Sequence, residues 1–161
     1  MTFQTSQVLG VSITDVYSTP PPFAVGTVAS LNDGGEAVFV KALSEISHYA
    51  YALVYADGTA QMATTTLAAN AKRGGWAQQS IPSGYWGWLQ ISGIPKGNLA
   101  ANCDDNVPLY TTATSGVLDD ATVSGCLVAF ATSTVTISNA TAVTLLVGRG
   151  QGVASGNPVG P

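Results

Sequence analysis

Apolar residues in this chain recur at alternate positions within short runs, and Gly, Asp, Asn and Pro break those runs at close intervals. A period of two is the signature of a strand with distinct faces, and spacings of about eight to twelve residues between turn signals mark all-β domains. The pattern predicts strands at Thr27–Ser30, Glu36–Ala42, Ala52–Tyr55, Gly75–Gln79, Tyr85–Ser92, Val107–Thr111, Cys126–Ala131 and Val143–Val147. Asn32-Asp33-Gly34-Gly35 and Asp57-Gly58 supply residues that accept positive φ cheaply, as tight hairpins require, and Ile94-Pro95-Lys96-Gly97-Asn98 reads as another loop. Helical spacing is weak throughout, and Thr65–Lys72 is the best short helix. The fold class expected is all-β, a small barrel or sandwich over residues 27–148.

The two ends break the pattern. Residues 1–26 alternate weakly and then meet Pro20-Pro21-Pro22, which cannot donate to a ladder and favour an extended path. They read as an extended N-terminal arm that orders against a neighbouring subunit. Residues 149–161 read as a Gly-rich, flexible C-terminal tail.

The stretch SGYWGWLQISG (83–93) is the most informative part of the strand pattern. Alternation sends Tyr85, Gly87, Leu89 and Ile91 to one face and Trp86, Trp88, Gln90 and Ser92 to the other. The Leu/Ile face is the better core face, with Gly87 leaving room for an opposing side chain to approach the backbone. Two indoles then stand on the opposite face and need a cover: the chain's own arm, a sister subunit or a partner shell.

Composition narrows the function classes. Only 9% of the 161 residues are charged, against about 25% in ordinary soluble domains, and Thr, Ser, Ala, Gly and Asn fill the gap. Such a surface suits many copies packed into a fixed assembly better than a free monomer. The net charge is −4, with five bases and no basic stripe, so nucleic acid is not an expected partner. No apolar run reaches the length of a membrane span, and the N-terminus lacks the positive region of a signal peptide. Synthesis in a cytosol is expected, with Cys103 and Cys126 as buried free thiols.

No residue set announces chemistry. His48 is the only histidine, and the two cysteines are too far apart in sequence for a zinc knuckle. The pairs Asp104-Asp105 and Asp119-Asp120 lack the alternating oxygen ligands of a calcium loop and read as turn caps. GRGQG (148–152) lacks the helix and the Lys-Ser/Thr of a phosphate loop, and Asn139-Ala140-Thr141 is a sequon of no consequence without secretion. No catalytic residue, metal ligand or cofactor is expected.

The order of features resembles a family of small bacteriophage head proteins that decorate, or cement, capsids. The resemblance rests on Pro22-Phe23-Ala24-Val25-Gly26-Thr27, on the hairpin NDGGEAVFVKA (32–42), on GYWGWLQISG (84–93), on Val107–Tyr110, and on GVLDD (116–120). It covers residues 20–148. It implies a β-rich, non-enzymatic subunit on the outer capsid surface, made in the host cytoplasm, that contacts the major capsid protein and itself as a trimer. Trp86, Trp88, Phe23 and Trp76 are then the expected contact residues, oligomeric or capsid-facing. A carbohydrate-binding, adhesin-like module with Trp76, Tyr85, Trp86 and Trp88 stacking on sugars is the alternative. A small virion hydrolase using His48 or an Asp pair ranks third.

Overall fold

The computed structural model describes residues 11–21, 23–69, 73–122, 125–135, 141–147 and 153–154. The first ten residues, the first two residues of the sequon, the end of the expected helix and most of the tail lie outside them. The described chain is nearly all β, and it forms two closed five-stranded barrels in succession.

The first barrel is built from β2 (Glu36–Ala42), β3 (Tyr51–Val54), β4 (Thr59–Met62), β5 (Arg73–Ala77) and β6 (Trp86–Gln90). Its strands run round in the order β2-β4-β3-β5-β6, and β6 pairs back onto β2 to close it. A sixth strand, β1 (Val28–Ser30), hangs on the outside of β2. A barrel of five strands has a narrow lumen. Small side chains therefore fill it: Ala42, Ala50, Ala52, Ala60 and Ala77, with Val38, Val40, Ile46, Ile81, Leu89 and Ile91. The Cβ that Gly87 lacks would sit 2.7 Å from Ile81 Cδ1. The expectation that an opposing side chain uses this gap is met.

The second barrel uses β7 (Lys96–Leu99), β8 (Pro108–Thr111), β9 (Leu118–Asp119), β10 (Leu127–Ser133) and β11 (Thr141–Val147). Its order is β7-β9-β8-β10-β11, closed by β11 on β7, with β12 (Val153–Ala154) hung on the outside of β10. In both barrels the first strand lies parallel to the third, and every other pair is antiparallel. The same connectivity thus occurs twice in one chain.

All eight expected strands exist, with ends displaced by a few residues. β4, β7, β9 and β12 were not expected. β7 is KGNL, whose Gly and Asn are turn formers by composition, and β9 has only two residues. The helix α1 covers Thr65–Ala68, capped by Thr64, whose Oγ1 accepts a bond from the Leu67 amide at 3.3 Å.

Candidate functional site

β2 is buried on both faces. Val38, Val40 and Ala42 enter the lumen, while Ala37 and Phe39 face outward beside Trp88 of β6. Phe39 and Trp88 lie 4.9 Å apart in register across the pair Phe39↔Trp88. Over them runs the arm. Tyr17 meets Phe39 at 5.9 Å, and Phe23 meets Phe39 at 5.7 Å and Trp88 at 5.6 Å, all edge to face. Such pairings add about 0.5–1.5 kcal/mol each beyond burial. Val11, Ile13 and Leu31 complete the cover. Backbone bonds fasten it at two points: Tyr17 and Trp86 exchange N–H···O bonds of 2.9 and 3.0 Å, past the point where β5 stops pairing with β6, and the Gly26 amide donates to the Phe39 carbonyl at 2.7 Å.

Of the three covers considered for the indoles, the chain supplies its own arm. Trp88 is 1% exposed and offers no surface to a sugar or a partner in this fold. Trp86 is half-buried with the Lys41 ammonium 4.8 Å over its ring, and Phe23 is half-buried in the seam.

Trp76 is also interior, at 0% exposure, and has another task. With Tyr51 and Leu53 it projects from the outer face of the first barrel into the core of the second, among Leu99, Leu109, Leu118, Val128 and Leu145. A Cβ on Gly97 would lie 2.7 Å from Trp76 Nε1 and 2.6 Å from Leu145 Cδ1, so glycine in β7 makes room for the plug. Trp76 and Trp88 are therefore core residues, and the expectation that they form an external contact is corrected by their burial.

Asp33 joins the pieces. Its Oδ1 accepts from the Gly35 amide at 2.8 Å, and its Oδ2 accepts from Gln90 Nε2 and from the Ile94 amide, both at 2.8 Å. One carboxylate thus ties the β1–β2 turn to the end of β6 and to the link between the barrels. Beside it opens a cavity of about 670 Å³, lined among others by Val11, Ile13, Ser30, Leu31, Ile94 and Lys96. Gln78 is held across this wall by two bonds to the Lys96 backbone, 2.9 and 3.1 Å. Asp33→Ala is expected to cost about 2–3 kcal/mol in urea unfolding, since charged acceptors carry more than neutral ones and three donors lose theirs. Wild-type stability in that variant would mean that water replaces the carboxylate without loss.

The chain matches no known protein family, no curated protein and no solved structure.

The residues weighed for chemistry are engaged structurally. The His48 ring stacks on Tyr49 at 3.7 Å, and its carbonyl accepts from Asn98 Nδ2 at 2.9 Å. Asp120 Oδ2 accepts from the Asp104 amide, Asp119 Oδ1 from the Asp120 amide, and Asp105 Oδ2 from Asn106 Nδ2. Among the described residues, Cys103, Asp119 and Asp120 alone bring three metal-competent atoms together, all within 4.8 Å of one another. Burial, with Asp120 and Asp119 nearby, pushes the Cys103 thiol up to about 11, so it is protonated and poorly nucleophilic at neutral pH.

Burial and the neighbouring Asp120 also raise the Asp119 carboxyl above its ordinary range. A raised acid favours its protonated form in the folded state, so the stability it contributes is lost as pH rises through its folded pKa. Asp119→Asn keeps the acceptor for the Asp120 amide and removes the charge. It is expected to melt higher than wild type at pH 7 and level with it below pH 3. A pH-independent difference would point to packing instead.

Sequence reasoning found the aromatic strand but missed the reach of Asp33. Its bond to Gly35 is a local turn contact that Asn-Asp-Gly-Gly announces. Its bonds to Gln90 and Ile94 span 57 and 61 residues and leave no local trace.

Proposed function

We propose that this chain is a decoration, or cement, protein of a tailed-bacteriophage capsid. It sits on the outer surface of the head as a homo-oligomer, a trimer, and stabilises the shell through contacts with the major capsid protein. The observation that carries this reading is where the resembling motifs fall. Phe23 and Trp88 meet in the arm seam, Asp33 locks the NDGG hairpin to the link between the barrels, and GVLDD contributes β9. The ordered motifs are thus the parts that fix this fold. The low charge supports it too, because broad contacts made by small polar and apolar side chains lose less rotamer entropy than contacts made by long charged ones.

The glycan-binding alternative loses two of its four rings, since Trp76 and Trp88 are interior; Trp86 is half-buried with Lys41 over its ring, and Tyr85 is exposed. The test is co-sedimentation of the purified chain with expanded heads of the phage that carries the gene. Saturable binding that raises the heads' resistance to heat or chelators is expected. Absence of binding to expanded heads would refute the reading, and binding to a glycan array would restore the alternative.

A further inference from the structure

The second barrel closes through a very short strand. β9 has two residues, yet it stands between β7 and β8, paired to β7 at Leu99↔Leu118 and to β8 at Tyr110↔Asp119 and Thr111↔Leu118. At its end, the carboxylates of Asp119 and Asp120 lie within 4.8 Å of each other and of the Cys103 sulfur, which comes from the β7–β8 connection. Both Asp residues are half-buried and Cys103 is 0% exposed, so this is not an acidic patch screened by open water.

Two neighbouring acids alone would mark no site; the thiol aimed at them does. The Cys103 S–H has no acceptor at bonding distance, since the carbonyl it meets, that of the adjacent Asp104, is 3.6 Å away. A fully buried polar group is thus left without a partner and turned toward two carboxylates. The Asp120 amide points at the sulfur and favours its thiolate, while burial and the two carboxylates oppose that form. Three acidic groups this close shed their protons together only when a cation joins them.

We propose that Cys103, Asp119 and Asp120 bind a divalent transition-metal cation, zinc above all, which staples β9 to the β7–β8 connection. A thiolate with two carboxylates is a borderline-soft donor set that suits zinc, whereas calcium and magnesium take oxygen ligands. Zinc holds sulfur at about 2.3 Å and carboxylate oxygen at about 2.0–2.2 Å, so its tetrahedral ligands stand about 3.4–3.6 Å apart. Small rotations of the three side chains close the present spacing. Asp120 Oδ2 stays on the Asp104 amide and Asp119 Oδ1 on the Asp120 amide, which leaves one oxygen of each carboxylate for the metal. Binding releases the thiol proton to solvent, and water takes the fourth position.

The test is titration of the reduced, chelator-treated full chain with cobalt(II) or zinc alone. One cobalt per chain is expected, with a thiolate-to-cobalt charge-transfer absorption that added zinc abolishes. Zinc is expected to raise the melting temperature, and magnesium and calcium to leave it unchanged. Cys103→Ser should abolish the charge-transfer band. Asp120→Asn, which keeps an oxygen for the Asp104 amide, should weaken cobalt binding about tenfold or more, the loss that even an outer-shell partner brings. Cys126→Ser removes the other thiol and should leave band and affinity as in wild type. If Cys103→Ser does not fold, the wild-type band and Asp120→Asn decide. A wild-type chain without the band, a band that survives Cys103→Ser, or an affinity unmoved by Asp120→Asn overturns the proposal. The site does not rest on the decoration reading, and the result with heads leaves it untouched.

Discussion

Trp76→Ala is expected to lower the stability of the whole chain by about 3–5 kcal/mol, the range for emptying a buried aromatic site. The indole belongs to β5 of the first barrel but stands in the core of the second, against Leu99, Leu145 and the bare backbone of Gly97. Both barrels should therefore melt earlier and together. Urea unfolding followed by far-UV dichroism, and by the fluorescence of the two remaining tryptophans in the first barrel, reads this as two coincident curves shifted to lower denaturant. If only one signal moves, the barrels are energetically separate and the plug is a surface contact. Gly97→Ala attacks the same joint from the other side, and its added methyl is expected to cost about 1–3 kcal/mol through overpacking.

The second large effect is Trp88→Ala, also about 3–5 kcal/mol by the same reasoning. Its particular consequence is local. Phe23 loses the ring it meets at 5.6 Å, and the arm is left with its contacts to Phe39 and the backbone bonds at Tyr17 and Gly26. Proteolysis under native conditions should then cut between residues 11 and 26 faster than in wild type, with no change in the mass of the protein in solution. A lower solution mass with an arm still protected would instead return Trp88 to the external role read from its sequence. Trp86→Ala, at a half-buried position, should do much less.

What the sequence allowed follows from the range of each signal. Alternation is local, so Glu36–Ala42 was placed to the residue and the two faces of SGYWGWLQISG were divided correctly. That the indole face needs a cover was also legible, because apolar area in that amount has to be buried. Which cover was not, since the meeting of Tyr17 and Phe23 with Phe39 and Trp88 is a long-range contact between an irregular arm and a strand pair. The second barrel was harder still. β7 carries Gly97 and Asn98, which local propensity assigns to a turn, whereas tertiary packing demands a glycine there to admit Trp76. With β7 and β9 unread, the all-β class was legible but the grouping of the strands into two closed barrels was not.

The repeated connectivity has a mechanical consequence. Two tandem segments each close five strands in the order first-third-second-fourth-fifth with one parallel pair, so neither barrel borrows a strand from the other to close. Their dependence runs through the cores instead: Trp76 belongs to the wall of the first barrel and fills the interior of the second, which is incomplete without its neighbour.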